Sequence, residues 1–186
     1  MSDPSRICSW KIAFALDNPI RRIIHNPQKN LGGYIEPGQT VLDLGCGPGT
    51  FSIAMAKMVG ESGKVIAVDV QEEMLQIVRK KAARKGLESR IVTHKSGPDR
   101  IGLSQKVDFA LAFYMVHEVP NAEAFLKEVA SVLKPKGKLL IVEPRMHVSA
   151  AAFERTIDIA QQAGLSPISE PKIRFSRSKL FQLSGR

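Results

Sequence analysis

The stretch from Gln39 to Gly60, QTVLDLGCGPGTFSIAMAKMVG, limits the folds open to this chain more than any other. A nearly unbroken apolar run enters three glycines at alternate positions, Gly45, Gly47 and Gly49, and leaves as a helical pattern over Thr50 to Val59 with Gly60 as its stop. A strand with apolar residues on both faces must be covered on both, and a strand that turns straight into a helix is half of a crossover unit. An α/β sheet with parallel strands follows. The glycines let the backbone take positive φ and leave room where a Cβ would collide with a ligand. Cys46 lies between two of them, so the turn uses its backbone rather than its sulfur.

The rest of the chain repeats the alternation. KVIAVDV (64–70) reads as a second buried strand. Gln71 to Lys85 reads as an amphipathic helix with Met74, Leu75, Val78 and Ala82 inward, Glu72 and Glu73 at its acidic start and Gly86 at its end. RIVTH (90–94) is a third strand, KSGPDRIGLSQ (95–105) a loop, and KVDFALAFYM (106–115) a fourth strand. A helix over Asn121 to Leu133 buries Phe125, Leu126, Val129 and Leu133, then stops at KPKG. KLLIVEP (138–144) is the fifth strand, followed by a helix over Ser149 to Ala163. Two β segments, around Ile173–Phe175 and Lys179–Leu183, are joined too closely for a crossover and should pair antiparallel. No repeat or linker divides the chain, so residues 1–186 are expected to form one domain. In it, residues 1–36 make a helical lead-in or lid, with Asp17-Asn18-Pro19 as a helix start, and residues 37–186 make the core.

A chain of 186 residues with 44% hydrophobic and 24% charged content suits a single globular core. Cys8 and Cys46 are too few for a disulfide framework, and no Cys/His cluster has metal-ligand spacing. Neither a leader peptide nor a membrane span is legible, which makes the cytoplasm the expected compartment. Net charge is +9, concentrated in RKKAARKG (79–86) and in the tail from Lys172 to Arg186. Solvated faces explain both runs better than a nucleic-acid footprint does.

In a doubly wound sheet, ligands bind at the carboxyl ends of the strands where the strand order reverses, and the glycine turn sits there. Asp69 ends the second strand roughly twenty residues past the turn, the spacing of a carboxylate that takes ribose hydroxyls. The pattern is G-x-G-x-G rather than the dinucleotide G-x-G-x-x-G. Asp43, two residues before the first glycine, would repel a pyrophosphate and suit an ammonium group. The chain also lacks room for the second half of a dinucleotide fold. A nucleoside cofactor other than NAD is expected.

VLDLGCGPGTFS, VIAVDV, VDFALAFYMVHEVPN and VLKPKGKLLIVEP resemble, in order, the successive motifs of class I S-adenosylmethionine (AdoMet) methyltransferases, in the group that includes the ubiquinone/menaquinone enzymes. The resemblance covers residues 40–145. It implies a Rossmann-like doubly wound sheet of seven strands in the order 3-2-1-4-5-7-6, the last strand antiparallel, with helices on both faces. It also implies AdoMet as cofactor. Gly45, Cys46, Gly47 and Gly49 would lie along its methionine part with Asp43 near the amino group. Asp69 would hold the ribose, Val70 and Met74 would pack on the adenine, Ser96 and Gly97 would edge the base, and Phe113 would complete the site. Met74 serves equally well as helix core. The loop Lys95-Ser96-Gly97 departs from the family in having no carboxylate for the adenine amino group, leaving Asp99 as a substitute.

Transfer of a methyl group from a sulfonium is an in-line displacement in which the protein aligns the nucleophile, excludes water and removes a proton where one must leave. The candidates lie in FYMVHEVPN, past the fourth strand on the sheet edge that carries the glycine turn. His117 is the candidate base, Glu118 could orient it or the substrate, and Tyr114 could line the path of the methyl group. The other reading of His117 is a loop residue that caps the next helix or bonds a carbonyl. Glu143 and Arg145 are further candidates, with Arg145 placed either to bind an acidic substrate or to pair with Glu143. Trp10, Phe14 and Tyr34 are the aromatics of the lid, equally suited to packing the lead-in onto the sheet. So small a lid leaves an open cleft or one walled by a second subunit, as in a homodimer.

A small-molecule methyltransferase is the leading expectation. An RNA or protein methyltransferase is less favoured, because the helix carrying Lys80, Lys81, Arg84 and Lys85 starts at the cofactor edge and ends at the opposite one, with its cations directed away from the methyl group. A non-catalytic AdoMet-binding regulatory protein is the third reading. Arsenite methylation would need more thiolates than Cys8 and Cys46.

Overall fold

The computed structural model describes residues 25–98 and 100–184. Cys8, Trp10, Phe14, the Asp17-Asn18-Pro19 helix start and Asp99 therefore lie outside the described residues. Seven strands follow the order β3-β2-β1-β4-β5-β7-β6, as the resemblance implies. The chain divides into two compact units between Ser96 and Gly97.

In the first unit, the described part of the lead-in holds one short helix, α1 (Pro27–Leu31). The Asn26 side chain caps it by accepting from the Lys29 N–H, and Leu31 is buried. β1 (Thr40–Leu44), β2 (Lys64–Asp69) and β3 (Ile91–Lys95) run parallel, with β2 central. After its first residue β2 is buried throughout, as an all-apolar strand requires. α2 (Thr50–Met58) leaves the glycine turn and α3 (Glu72–Ala83) leaves β2. Met74, Leu75, Val78 and Ala82 are the buried residues of α3, the stripe expected from their spacing. Burying side chains the size of the first three contributes about 1.5–3 kcal/mol each. Met74 is 1% exposed and belongs to this core.

The second unit contains β4 (Val107–Phe113), a 3₁₀ turn (Val116–Glu118), α4 (Ala122–Val132), β5 (Leu133–Pro144), α5 (Ala150–Gln162), β6 (Leu165–Ser169) and β7 (Ser176–Leu183). β4 and β5 pair in parallel, while β7 runs antiparallel to both β5 and β6. Two expectations are corrected here. KPKG does not separate α4 from β5: the strand begins at Leu133, and its register on β4 jumps from Val107↔Leu133 to Phe109↔Lys138. The extra residues bulge out around Lys136, at φ 64°, and the pairing then resumes. The tail hairpin is also misplaced in the sequence reading, because Ile173–Phe175 lies in the loop and the partner of β7 is Leu165–Ser169. Pro167 and two serines hide that strand, yet proline is tolerated at an edge, and four of its five residues are exposed.

Candidate functional site

In the first unit the turn Gly45–Gly49 places all three glycines in the left-handed region, at φ 61°, 51° and 81°. The two acids bind protein groups. Asp43, 2% exposed, accepts from the Ser52 hydroxyl at 2.5 Å. Burial pushes its pKa up to about 7, against the opposing Ser52 hydrogen bond. Asp69, 7% exposed, accepts from Gly47 N–H at 2.8 Å through Oδ2 and from Gln71 N–H at 2.9 Å through Oδ1. Burial raises it as well, and those backbone donors oppose the shift. It thus bridges the glycine turn and the start of α3. The Cys46 thiol is buried and held well above its usual pKa, so it stays protonated. Val70 is partly exposed, and Ser96 N–H donates to the Asp69 carbonyl at 3.1 Å.

The glycines differ in what they avoid. A Cβ on Gly49 would stand 2.8 Å from Val78 Cγ2, so this glycine lets α3 approach the turn. Among the described residues, a Cβ on Gly47 would meet nothing within 4 Å. Its backbone therefore borders open space, which a ligand lying along the turn could fill. The Lys81 Nζ donates to the Pro48 carbonyl of the turn at 2.8 Å.

The candidate catalytic residues lie in the second unit. Phe113 ends β4 buried, its ring centroid 4.5 Å from that of Tyr114. Tyr114 follows at φ 62°, unusual for a bulky residue, with its N–H donating to Val142 O and its hydroxyl 2.6 Å from Ser176 Oγ. His117 sits in the 3₁₀ turn. Its Nδ1 is 2.6 Å from Glu143 Oε2, and its backbone N–H donates to Glu143 Oε1 at 3.1 Å. Glu143 is 1% exposed, whereas the His117 side chain is 29% exposed. An ionised carboxylate only accepts, so the bond fixes the proton on Nδ1 and leaves the Nε2 lone pair available. The Glu143 hydrogen bond raises the His117 pKa above its usual value; partial burial opposes this.

Three sequence expectations change at this cluster. Glu143, rather than Glu118, orients the imidazole, since Glu118 Oε1 stands 3.9 Å from Nε2. Asn121 caps the next helix, so His117 is not its cap. Arg145 does not pair with Glu143, because its Nε donates to Ser176 O at 2.9 Å. Sequence reasoning missed Ser52, Gln71 and Ser176 as partners. Glu143 did carry a signal as the lone carboxylate in the apolar run KLLIV.

The family model described as "Methyltransferase domain" matches residues 35–166. The chain belongs to that methyltransferase family. It is 36% identical over 110 residues to a demethylmenaquinone methyltransferase of Lactobacillus johnsonii and 33% identical over 109 residues to one of Halalkalibacterium halodurans. These matches cover 59% of the chain and only 45% and 44% of the relatives, so it spans less than half the length of those curated proteins. A crystal structure of a SAM-dependent methyltransferase from Aquifex aeolicus superimposes with a TM-score of 0.86 at 29% identity, covering 95% of this chain and 100% of that one. The N-methyltransferase NodS from Bradyrhizobium japonicum, solved with S-adenosyl-L-homocysteine, shares the fold at TM-score 0.71 and 15% identity, covering 92% of each chain. No helix among the described residues is long and apolar enough to cross a membrane.

Proposed function

We propose that this chain is an AdoMet-dependent methyltransferase that acts on a small-molecule acceptor whose nucleophilic atom carries a proton, with His117 as the general base and Glu143 as its positioning partner. The observation that carries the reading is the 2.6 Å bond between His117 Nδ1 and Glu143. Glu143 is buried, with both oxygens engaged by the same histidine, one through the ring and one through the backbone. A loop histidine with a purely structural role needs no such carboxylate.

The residues of the first unit fit AdoMet. Gly47 offers bare backbone beside open space, Asp69 offers a carboxylate for the ribose hydroxyls, and Asp43 supplies an acid for an ammonium group. Bound there, AdoMet supplies a methyl group on a positively charged sulfur. Asp43, partly protonated in the free protein near its pKa of about 7, would ionise against the ammonium charge. In the second unit, His117 Nε2 takes the proton that the acceptor loses, and Glu143 stabilises the imidazolium that forms. Tyr114 is held through Ser176 in the same unit. Both units belong to one methyltransferase domain in this reading, which agrees with a family match that runs through the 96/97 boundary. A nucleic-acid substrate gains no support from α3, where Lys81 is engaged by the turn.

The test is transfer of label from methyl-labelled AdoMet to a panel of phenols, quinols, amines and thiols. Label should appear in at least one class, and His117→Ala should lower kcat by about 10²–10⁴-fold. AdoMet binding without transfer to any class would leave a regulatory binding protein instead.

A further inference from the structure

A cavity of about 600 Å³ is lined wholly by residues 145–179 of the second unit, and nothing in the reading above uses it. Its lining holds five basic side chains and two acidic ones. Glu170 pairs with Lys179, which removes one charge of each sign. Arg145 and Arg177 are differently placed. Each donates its Nε to a backbone carbonyl, Ser176 O at 2.9 Å and Val148 O at 3.1 Å, and neither has a carboxylate within ion-pair distance among the described residues. Anchoring at Nε fixes the plane of each guanidinium and leaves its terminal nitrogens as a fork, the geometry that accepts a carboxylate or phosphate. Arg145 is held a second time, its backbone N–H donating to Phe175 O at 3.1 Å. Phe175 itself is in the left-handed region at φ 58° and is 57% exposed. A bulky residue held at such an angle beside a cavity marks a site worth a functional explanation.

The cavity is not uniformly polar. Phe153 and Ile157 of α5 add a buried apolar wall, and Phe175 adds an aromatic ring with the Arg174 guanidinium 4.8 Å from its centroid. Lys172 and Arg174 supply further positive charge at the loop. An apolar body with an anionic end matches that lining. The cavity also adjoins the Tyr114 hydroxyl, because Ser176 lines it and bonds Tyr114 at 2.6 Å. Arg177 lies opposite Glu143 in the β5–β7 register.

We propose that this cavity binds the anionic end, a carboxylate or a phosphate, of the methyl acceptor. The inference rests on the acceptor reading above and narrows it to amphiphilic anions.

Benzoate, phenyl phosphate and neutral benzamide are the probes, titrated against the full chain while the backbone amides of Arg145, Phe175, Ser176 and Arg177 are followed by NMR. Both anions should shift those amides, with benzamide at least about tenfold weaker. The tighter anion identifies the head group, carboxylate or phosphate. The double variant Arg145→Gln/Arg177→Gln should lose about tenfold or more in anion affinity. Lys172→Gln, whose side chain has no hydrogen bond or ion pair among the described residues, should lose about threefold, and AdoMet affinity should stay unchanged in all variants. Benzoate should compete with the acceptor in the methyl-transfer assay. Equal binding of benzamide and benzoate, insensitivity to these substitutions, or non-competitive inhibition would each overturn the inference. Failure to bind AdoMet, read separately on the same samples, would strike instead at the methyltransferase reading.

Discussion

The glycine turn and the His117 cluster are built by opposite means. The first is backbone geometry: three left-handed glycines within five residues, their amides and neighbours tied by one carboxylate, Asp69. The second is side-chain geometry assembled from afar. Its bonds link His117 to Glu143 across 26 residues and Tyr114 to Ser176 across 62. Each region buries an acid, but to different ends. Burial raises Asp43 to a pKa of about 7 against hydrogen bonds from Ser52, whereas Glu143 is placed against a histidine whose charged form it favours. A recognition surface can be written locally, while a proton-transfer pair depends on the completed fold.

The sharpest way to break this contrast is Glu143→Gln. If the cluster handles protons, kcat should fall by about 10²–10⁴-fold with AdoMet affinity unchanged, since tautomer and imidazolium support are lost together. The pH profile gives the sign. His117 acts as a base only when neutral, so activity in the native protein should rise with pH through a value above 6.5, and the midpoint should move down in the variant. Stability shifts the other way. The pair stabilises the fold fully below the ordinary histidine pKa, and that contribution fades as pH climbs through the raised one. A variant with an unmoved pH midpoint would reduce Glu143 to a structural residue.

Asp69→Ala is the matching test of the first unit. It should weaken AdoMet binding by about 100-fold, as two charge-assisted hydrogen bonds would. Because Gly47 and Gln71 N–H groups lose their acceptor, thermal unfolding should register about 1–3 kcal/mol as well. Unchanged affinity in calorimetry would remove the ribose role.

The same contrast explains what the sequence made legible. Strand, glycine turn and helix at 39–60 could be placed because each signal lies within a few residues of the next, Asp69 because it follows the turn at a recognisable spacing, and the inward stripe of α3 came from spacing alone. The role of Glu143 could not be read, since the side chain opposite a strand residue depends on register. β6 was missed because an edge strand need not alternate in polarity and tolerates Pro167. The β5 start was missed because KPKG has the composition of a stop, yet the β4–β5 register absorbs it as a bulge.

A smaller effect concerns Asp43. Its raised pKa means the folded protein holds a proton that the unfolded chain gives up, so stability should decline as pH rises from 3.8 towards about 7 and then level off. AdoMet binding, which favours the ionised acid, should tighten over the upper part of that window by at most about tenfold per pH unit. Asp43→Asn should flatten both curves, as followed by calorimetry and thermal melts across the range.

The finest distinction lies between two glycines of one turn. Gly49→Ala puts a methyl group 2.8 Å from Val78 Cγ2 at φ 81°, so overpacking and backbone strain add to about 2–4 kcal/mol of stability. Val78→Ala should recover part of that loss, because it removes the colliding atom. Gly47→Ala faces only the strain of its φ of 51°, about 1–2 kcal/mol, since its Cβ enters open space. Its stability cost should therefore be the lesser of the two and its loss of AdoMet affinity the greater, for that space is where the cofactor is proposed to lie. Melting temperatures and AdoMet titrations on the two variants decide the matter. Equal affinity losses would mean that the turn is shaped for helix packing alone, and the division of labour between its glycines would disappear.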